Sequence, residues 1–124
     1  MKKIFEGAKP LVTIGGEHGI PIPILKGLPK KRMVAIVQVD AHLNWRDEVN
    51  GEKEGYSSGI RGASEMDHMS EIFQIGLRRV GSGCNEEFKT AKAYGAHLIS
   101  PYEIHEFGIK GILDRIPEPH SFNR

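Results

Sequence analysis

One stretch constrains the fold of this chain more than any other. Met33-Val34-Ala35-Ile36-Val37-Gln38-Val39 is apolar at every position but one and is closed by Asp40-Ala41-His42. A strand with one wet face alternates apolar and polar residues, whereas a near-continuous apolar run fits a strand covered on both faces, as in parallel sheets. A second, shorter run, Leu11-Val12-Thr13-Ile14, ends in Gly15-Gly16-Glu17-His18. The sequence therefore predicts two strands that each deliver a histidine at the C-terminal end, one of them with an aspartate two residues before it. Open parallel sheets build their sites at that edge. Residues i and i+2 of an extended segment share a side, so Asp40 and His42 project together. Neutral imidazole and carboxylate are donors that divalent transition metals accept.

The rest of the chain continues the alternation. Pro21-Ile22-Pro23-Ile24-Leu25-Lys26 predicts a short helix with both prolines in its first turn, stopped by Gly27 and Pro29. Residues 43–70 are polar and punctuated by Gly51, Gly55, Gly59 and Gly62, which predicts a long loop with a short helix near Ala63 to His68. Loops of that length are uncommon unless functional or disordered. A third strand is expected over Ile72 to Leu77. A helix follows from an Asn85 N-cap to Tyr94, with Glu86 and Glu87 at its positive end and Gly95 as its stop. Ala96 to Ile99 reads as a fourth strand. Ser100 caps a last helix with Pro101 first and Glu103 third, closed by Pro117. The order β-α-β-loop-β-α-β-α predicts an α/β fold with a parallel sheet and helices on both sides.

Composition narrows the function classes. The chain has 124 residues, 39% apolar and 27% charged, with a formal net charge of +1. That is one modest soluble domain with no bulk electrostatic pull toward nucleic acid. Lys30-Lys31-Arg32 reads as a solvated turn. No apolar run approaches the roughly 20 residues of a membrane span, and Met1 to Phe5 lacks a signal-peptide core. The single cysteine, Cys84, has no partner in the chain, fits a reducing compartment and reads as structural. The expected setting is cytoplasmic, without membrane or nucleic-acid partners. His68, His97, His105 and His120 show no paired spacing and read as surface or core histidines. Arg78 and Arg79 read as a solvated loop. Trp45 directly follows the Asp40–His42 segment and either lines a substrate mouth or anchors the loop by packing; Tyr56 has the same two readings.

Gly15-Gly16-Glu17-His18 resembles the GGDH motif of the ureohydrolases (arginase, agmatinase and relatives), and Asp40-Ala41-His42-Leu43-Asn44 resembles their DAHxD motif. The loop residues Trp45-Arg46-Asp47-Glu48-Val49-Asn50-Gly51, Gly55-Tyr56-Ser57-Ser58 and Arg61-Gly62-Ala63-Ser64-Glu65-Met66 resemble the agmatinase-like branch. The likeness runs from about Leu11 to Pro117. It implies a three-layer α/β/α, arginase-like fold. It implies two Mn2+ per active site and attack of an activated water on the guanidinium carbon of a small guanidino substrate, releasing urea and an amine. A homo-oligomer is implied for the full-length family. Carried over by motif, His18 binds one metal, His42 the other, and Asp40 bridges them; no further catalytic residue is assigned.

The chain departs from the family pattern in three ways. Asn44 stands where DAHxD ends in aspartate, so a neutral amide replaces a charged ligand beside roughly four positive charges, and weaker metal binding is expected there. Asp47 is a candidate substitute. The family's later D-x-D strand and the segment before GGDH are not present, so residues 1–124 are expected to be the central portion of a ureohydrolase domain, poorly active alone. Tyr56-Ser57-Ser58 stands where agmatinases carry a proton-shuttling histidine. Two alternatives stay open: a non-catalytic fragment or pseudoenzyme, and another arginase-fold hydrolase such as a zinc-dependent, deacetylase-like enzyme.

Overall fold

The apolar run becomes β1 (Val34–Val39), at one edge of a three-stranded parallel sheet. The computed structural model describes residues 10–51, 53, 55, 57–78, 81 and 83–118. β1 pairs with β2 (Met69–Ile75), placing Gln38 beside Gln74 and Val39 beside Ile75, and β2 pairs with β3 (His97–Ile99). Four helices accompany the sheet: α1 (Pro21–Gly27), α2 (Gly59–Ser64), α3 (Asn85–Tyr94) and α4 (Pro101–Leu113).

Side chains alternate across each strand, and the two faces collect different cores. On one face Ile72 and Ile36 pack with Leu43, Trp45, Ile60 and Ala91, which brings α2, α3 and the segment after β1 onto the sheet. On the other, Phe73 and Ile99 pack against Ile112 of α4. Helices therefore cover both faces, as the α/β expectation required. Cover on the α4 side is incomplete, since Val37 and Val39 of β1 remain 46% and 79% exposed. Among the described residues no helix is long and apolar enough to cross a membrane.

Local chemistry explains most element ends. Ser100 Oγ accepts the Glu103 N–H while Glu103 Oε2 accepts the Ser100 N–H at 2.9 Å, a reciprocal cap that starts α4, with Pro101 in its first turn. Gly95 closes α3 in the left-handed conformation. α4 is not one continuous helix, because Gly108 (φ 71, ψ 164) interrupts it. That backbone region is open essentially to glycine alone, and the turn it allows seats Ile112 on Phe73.

Four expectations need correction. The apolar residues Leu11 to Ile14 form no strand: Val12 is 79% and Ile14 95% exposed, and no strand of the sheet pairs with them. Apolar character makes a strand only where a ladder accepts its N–H and C=O groups, so the described sheet has three strands, not four. β2 starts at Met69, earlier than expected, because polar Ser70 and Glu71 belong to it; Ser70 Oγ donates to the Val34 carbonyl at 3.1 Å. The helix of the long loop lies at α2, upstream of the expected position. The N-cap of α3 is Cys84, whose N–H is accepted by Glu87 Oε2 at 3.2 Å, with Asn85 the first helical residue. Cys84 itself is exposed.

Candidate metal centre

The sheet carries Asp40 to its C-terminal edge. The Asp40 N–H donates to Ile75 O at 3.1 Å and the Arg78 N–H to Ala41 O at 3.2 Å, so the ladder extends past β1 and fixes the segment bearing Asp40 and His42. His18 reaches the same place from the turn after Gly15-Gly16. Gly59 allows the close approach of α2 to that turn, since a Cβ there would lie 3.0 Å from His18 O.

Asp40 is the hub. Its Oδ2 lies 3.2 Å from His18 Nδ1, and its Oδ1 lies 3.2 Å from His42 Nδ1. The His42 N–H donates to Oδ1 at 3.0 Å, and Nδ2 of Asn44 donates to Oδ2 at 3.0 Å. A further donor comes from β1, where Gln38 Nε2 donates to Oδ2 at 3.1 Å. Burial by itself pushes the Asp40 carboxyl up; the hydrogen bonds from the His42 N–H and the Asn44 amide, with His18 nearby, outweigh it and hold the group below the ordinary aspartate value. The carboxylate is therefore ionised at neutral pH between two imidazoles that are more than half exposed, at 58% and 54%.

Three of the four expected metal ligands thus converge: His18, Asp40 and His42. Asn44 joins them in another role, offering an N–H to the cluster where a ligand must offer oxygen; its carbonyl oxygen faces the site only if the amide turns over. Its φ of 56° is left-handed, a conformation asparagine tolerates, and its backbone oxygen accepts the N–H groups of Ile60 and Arg61 in α2. Asp47 is exposed and faces Arg61 at 4.0 Å, outside the cluster. Among the described residues no group of three or more His, Cys, Asp and Glu side chains is set to hold one ion. The donor types suit a divalent cation, and one carboxylate is the whole of their charge.

A cavity of about 770 Å³ opens over the cluster, lined by His18, His42, Asn44, Arg46, Cys84 and Glu87 among others. Arg46 Nε donates to the nearly buried Glu87 Oε1 at 2.9 Å and ties the loop to α3 across that cavity. Trp45 does not line the mouth. It is 2% exposed, its indole N–H donates to Gln74 Oε1 at 2.7 Å, and the packing role replaces the substrate-binding expectation. His68 is buried with Nε2 3.1 Å from Leu25 O, His97 stacks on Phe73, and His105 and Arg78 are exposed. Tyr56, Arg79 and His120 lie outside the described residues. Gln38, Gln74, Arg46 and Glu87 were not anticipated. For the glutamines a signal existed: each is the polar interruption of an apolar strand core.

The arginase-family sequence profile matches residues 1–122. The chain belongs to the arginase family. It is 36% identical over 114 residues to the agmatinase of Bacillus subtilis (strain 168), covering 91% of this chain and 38% of that protein. It is 33% identical over 115 residues to the guanidinobutyrase of Pseudomonas aeruginosa, covering 90% of this chain and 35% of that protein. Among solved structures, the agmatine ureohydrolase of Thermoplasma volcanium superposes with a TM-score of 0.67 at 31% identity, over 82% of this chain and 33% of that one. The chain thus spans about a third of the length of the curated relatives it matches.

Proposed function

We propose that this chain carries part of the active site of an agmatinase-like amidinohydrolase, in which His18, Asp40 and His42 hold divalent metal and the substrate is a small guanidino compound cleaved to urea and an amine. One observation carries the reading: an ionised Asp40 lies 3.2 Å from each of two histidines at the C-terminal edge of β1, in a chain of the arginase family. When bound, the metal supplies Lewis acidity and a water acidic enough to attack the guanidinium carbon at neutral pH. The protein's own part begins with charge. Asp40 keeps its carboxylate ionised under partial burial, which favours a cation at this edge. Nδ1 is the ring atom of both His18 and His42 that faces Asp40, so in the tautomer protonated at Nε2 each ring turns a lone pair toward a cation shared with the carboxylate. Glu17 adds a carboxylate to the cavity lining, consistent with a cationic guanidinium as the guest, while the charge of Glu87 is met by Arg46. Manganese, a cytoplasmic setting and a homo-oligomeric assembly belong to the same reading.

The guanidino tail stays open between an amine, as in agmatine, and a carboxylate, as in 4-guanidinobutyrate. Incubating the purified chain with Mn2+ and each compound, and following urea, tests the proposal. Urea release abolished by Asp40→Asn supports it. Stoichiometric manganese without urea favours the non-catalytic alternative, a reading that the single carboxylate of the cluster supports. Absence of both urea and metal uptake overturns the proposal for this chain and leaves the non-catalytic fragment.

A further inference from the structure

The Asp40 carboxylate is held by two kinds of partner. His18, His42 and Asn44 reach it with side chains from bends and loops, and the two rings are more than half exposed. The His42 N–H and the Gln38 amide reach it from backbone or strand. Gln38 is itself held: its Oε1 accepts Nε2 of Gln74, its register partner on β2. Gln74 is fully buried and saturated; Nε2 also donates to Leu43 O at 2.8 Å, and Oε1 accepts the Trp45 indole N–H at 2.7 Å. An unbroken chain of hydrogen bonds thus runs from the core tryptophan through two glutamines on adjacent strands to one oxygen of Asp40.

We infer that Gln38 and Gln74 form an interstrand clamp that positions the Asp40 carboxylate for a metal ion. The inference rests on the reading of Asp40 as a metal ligand. Each amide in the chain has its direction fixed by the next. Leu43 O can only accept, so Gln74 presents its NH2 to that carbonyl and to Gln38 Oε1. The remaining end of Gln38 is then its NH2, and it donates to Oδ2. A carboxylate oxygen has lone pairs for both a donor and a cation, so the clamp orients Oδ2 without excluding metal. Without Gln38, Oδ2 keeps only the side chains of Asn44 and His18 from loop and turn as partners, and their motion would have to be frozen on binding. Partners of this kind are worth about 10- to 100-fold in metal affinity. Both glutamines are positioning residues and touch no substrate.

Manganese titration of the intact chain and of Gln38→Met tests the clamp, with the metal-free unfolding midpoint measured beside it. Methionine keeps the volume and removes both the donor to Asp40 and the acceptor of Gln74 Nε2. The expected result is about tenfold or greater loss of Mn2+ affinity, beside a lower metal-free midpoint because the buried Gln74 Nε2 loses one of its two acceptors. Equal affinity in the two proteins overturns the clamp alone, while no uptake by the unmodified chain overturns the metal site and the clamp with it. A measurement on the unmodified chain needs no variant to fold. The Gln38 side-chain amide, followed by nitrogen-15 correlation spectroscopy, is expected to show slowed exchange and a resonance displaced from random-coil values. Random-coil behaviour overturns the clamp.

Discussion

Asn44 ties three functions into one residue, and each makes a different demand. The left-handed φ of 56° favours asparagine or aspartate over branched residues, the backbone oxygen holds the start of α2, and the amide neutralises part of Asp40 through an N–H at 3.0 Å from Oδ2. Aspartate satisfies the first two demands and reverses the third. Asn44→Asp puts a second carboxylate beside Asp40, which repels without a cation and attracts with one. The variant is expected to lose about 1 kcal/mol of metal-free stability and to bind Mn2+ about tenfold more tightly, about 1.4 kcal/mol. Denaturation with and without metal reads both signs, and a variant that weakens metal binding would show that the amide is itself the better ligand. At Trp45 the group at stake is an acceptor. Trp45→Phe keeps an aromatic body but leaves the fully buried Gln74 Oε1 without its 2.7 Å donor. An unsatisfied buried polar atom costs about 1–3 kcal/mol, and urea denaturation is expected to show a loss in that range.

At the scale of elements, α4 is held at its start by one reciprocal cap. Glu103 accepts the Ser100 N–H, the strongest influence on its carboxyl, which together with the Ser100 hydroxyl and Arg115 lowers its pKa against the opposing effect of burial. A carboxyl with a depressed folded-state pKa contributes stability above its unfolded value and loses it as pH falls through the folded one. The stability of the chain should therefore fall on acidification through and below the ordinary glutamate range, and Glu103→Gln should flatten that fall. Denaturant midpoints at a series of acidic pH values compare the two slopes. Ser100→Ala removes the other half of the cap and is expected to cost about 1 kcal/mol at neutral pH. This element was legible in the sequence because every part of the cap lies within four residues. The same holds for Asp40 and His42, fixed by a two-residue spacing on a strand. What stayed hidden depends on pairing across distance. Gln38 meets Gln74 only through the β1–β2 register, and Ser70 and Glu71 look like loop until Val34 and Ala35 lie beside them. Leu11 to Ile14 misled for the converse reason, an apolar composition with no ladder to join.

The molecule as a whole is unevenly covered. α4 shields Phe73 and Ile99 but stops short of β1, which pairs on one side only among the described residues and leaves Val37 and Val39 bare on the α4 face. Ile109 and Leu113 of α4 add to the exposed apolar surface at 69% and 54%. An open strand edge beside apolar surface is a template for association. The isolated chain is accordingly expected to self-associate as its concentration rises. Val37→Lys tests this without disturbing the Asp40 cluster, since Val37 shares its strand face with Phe73 and not with Gln38. A lysine there can run its stem along the sheet and keep its charge in water. Its expected effect on unfolding is within about 0.5 kcal/mol, the range of ordinary surface changes, whereas sedimentation should show a marked shift toward monomer. If the variant associates as strongly as the parent, the bare α4 face of β1 is not what drives association, and the exposed Val12 and Ile14 become the segment to change next.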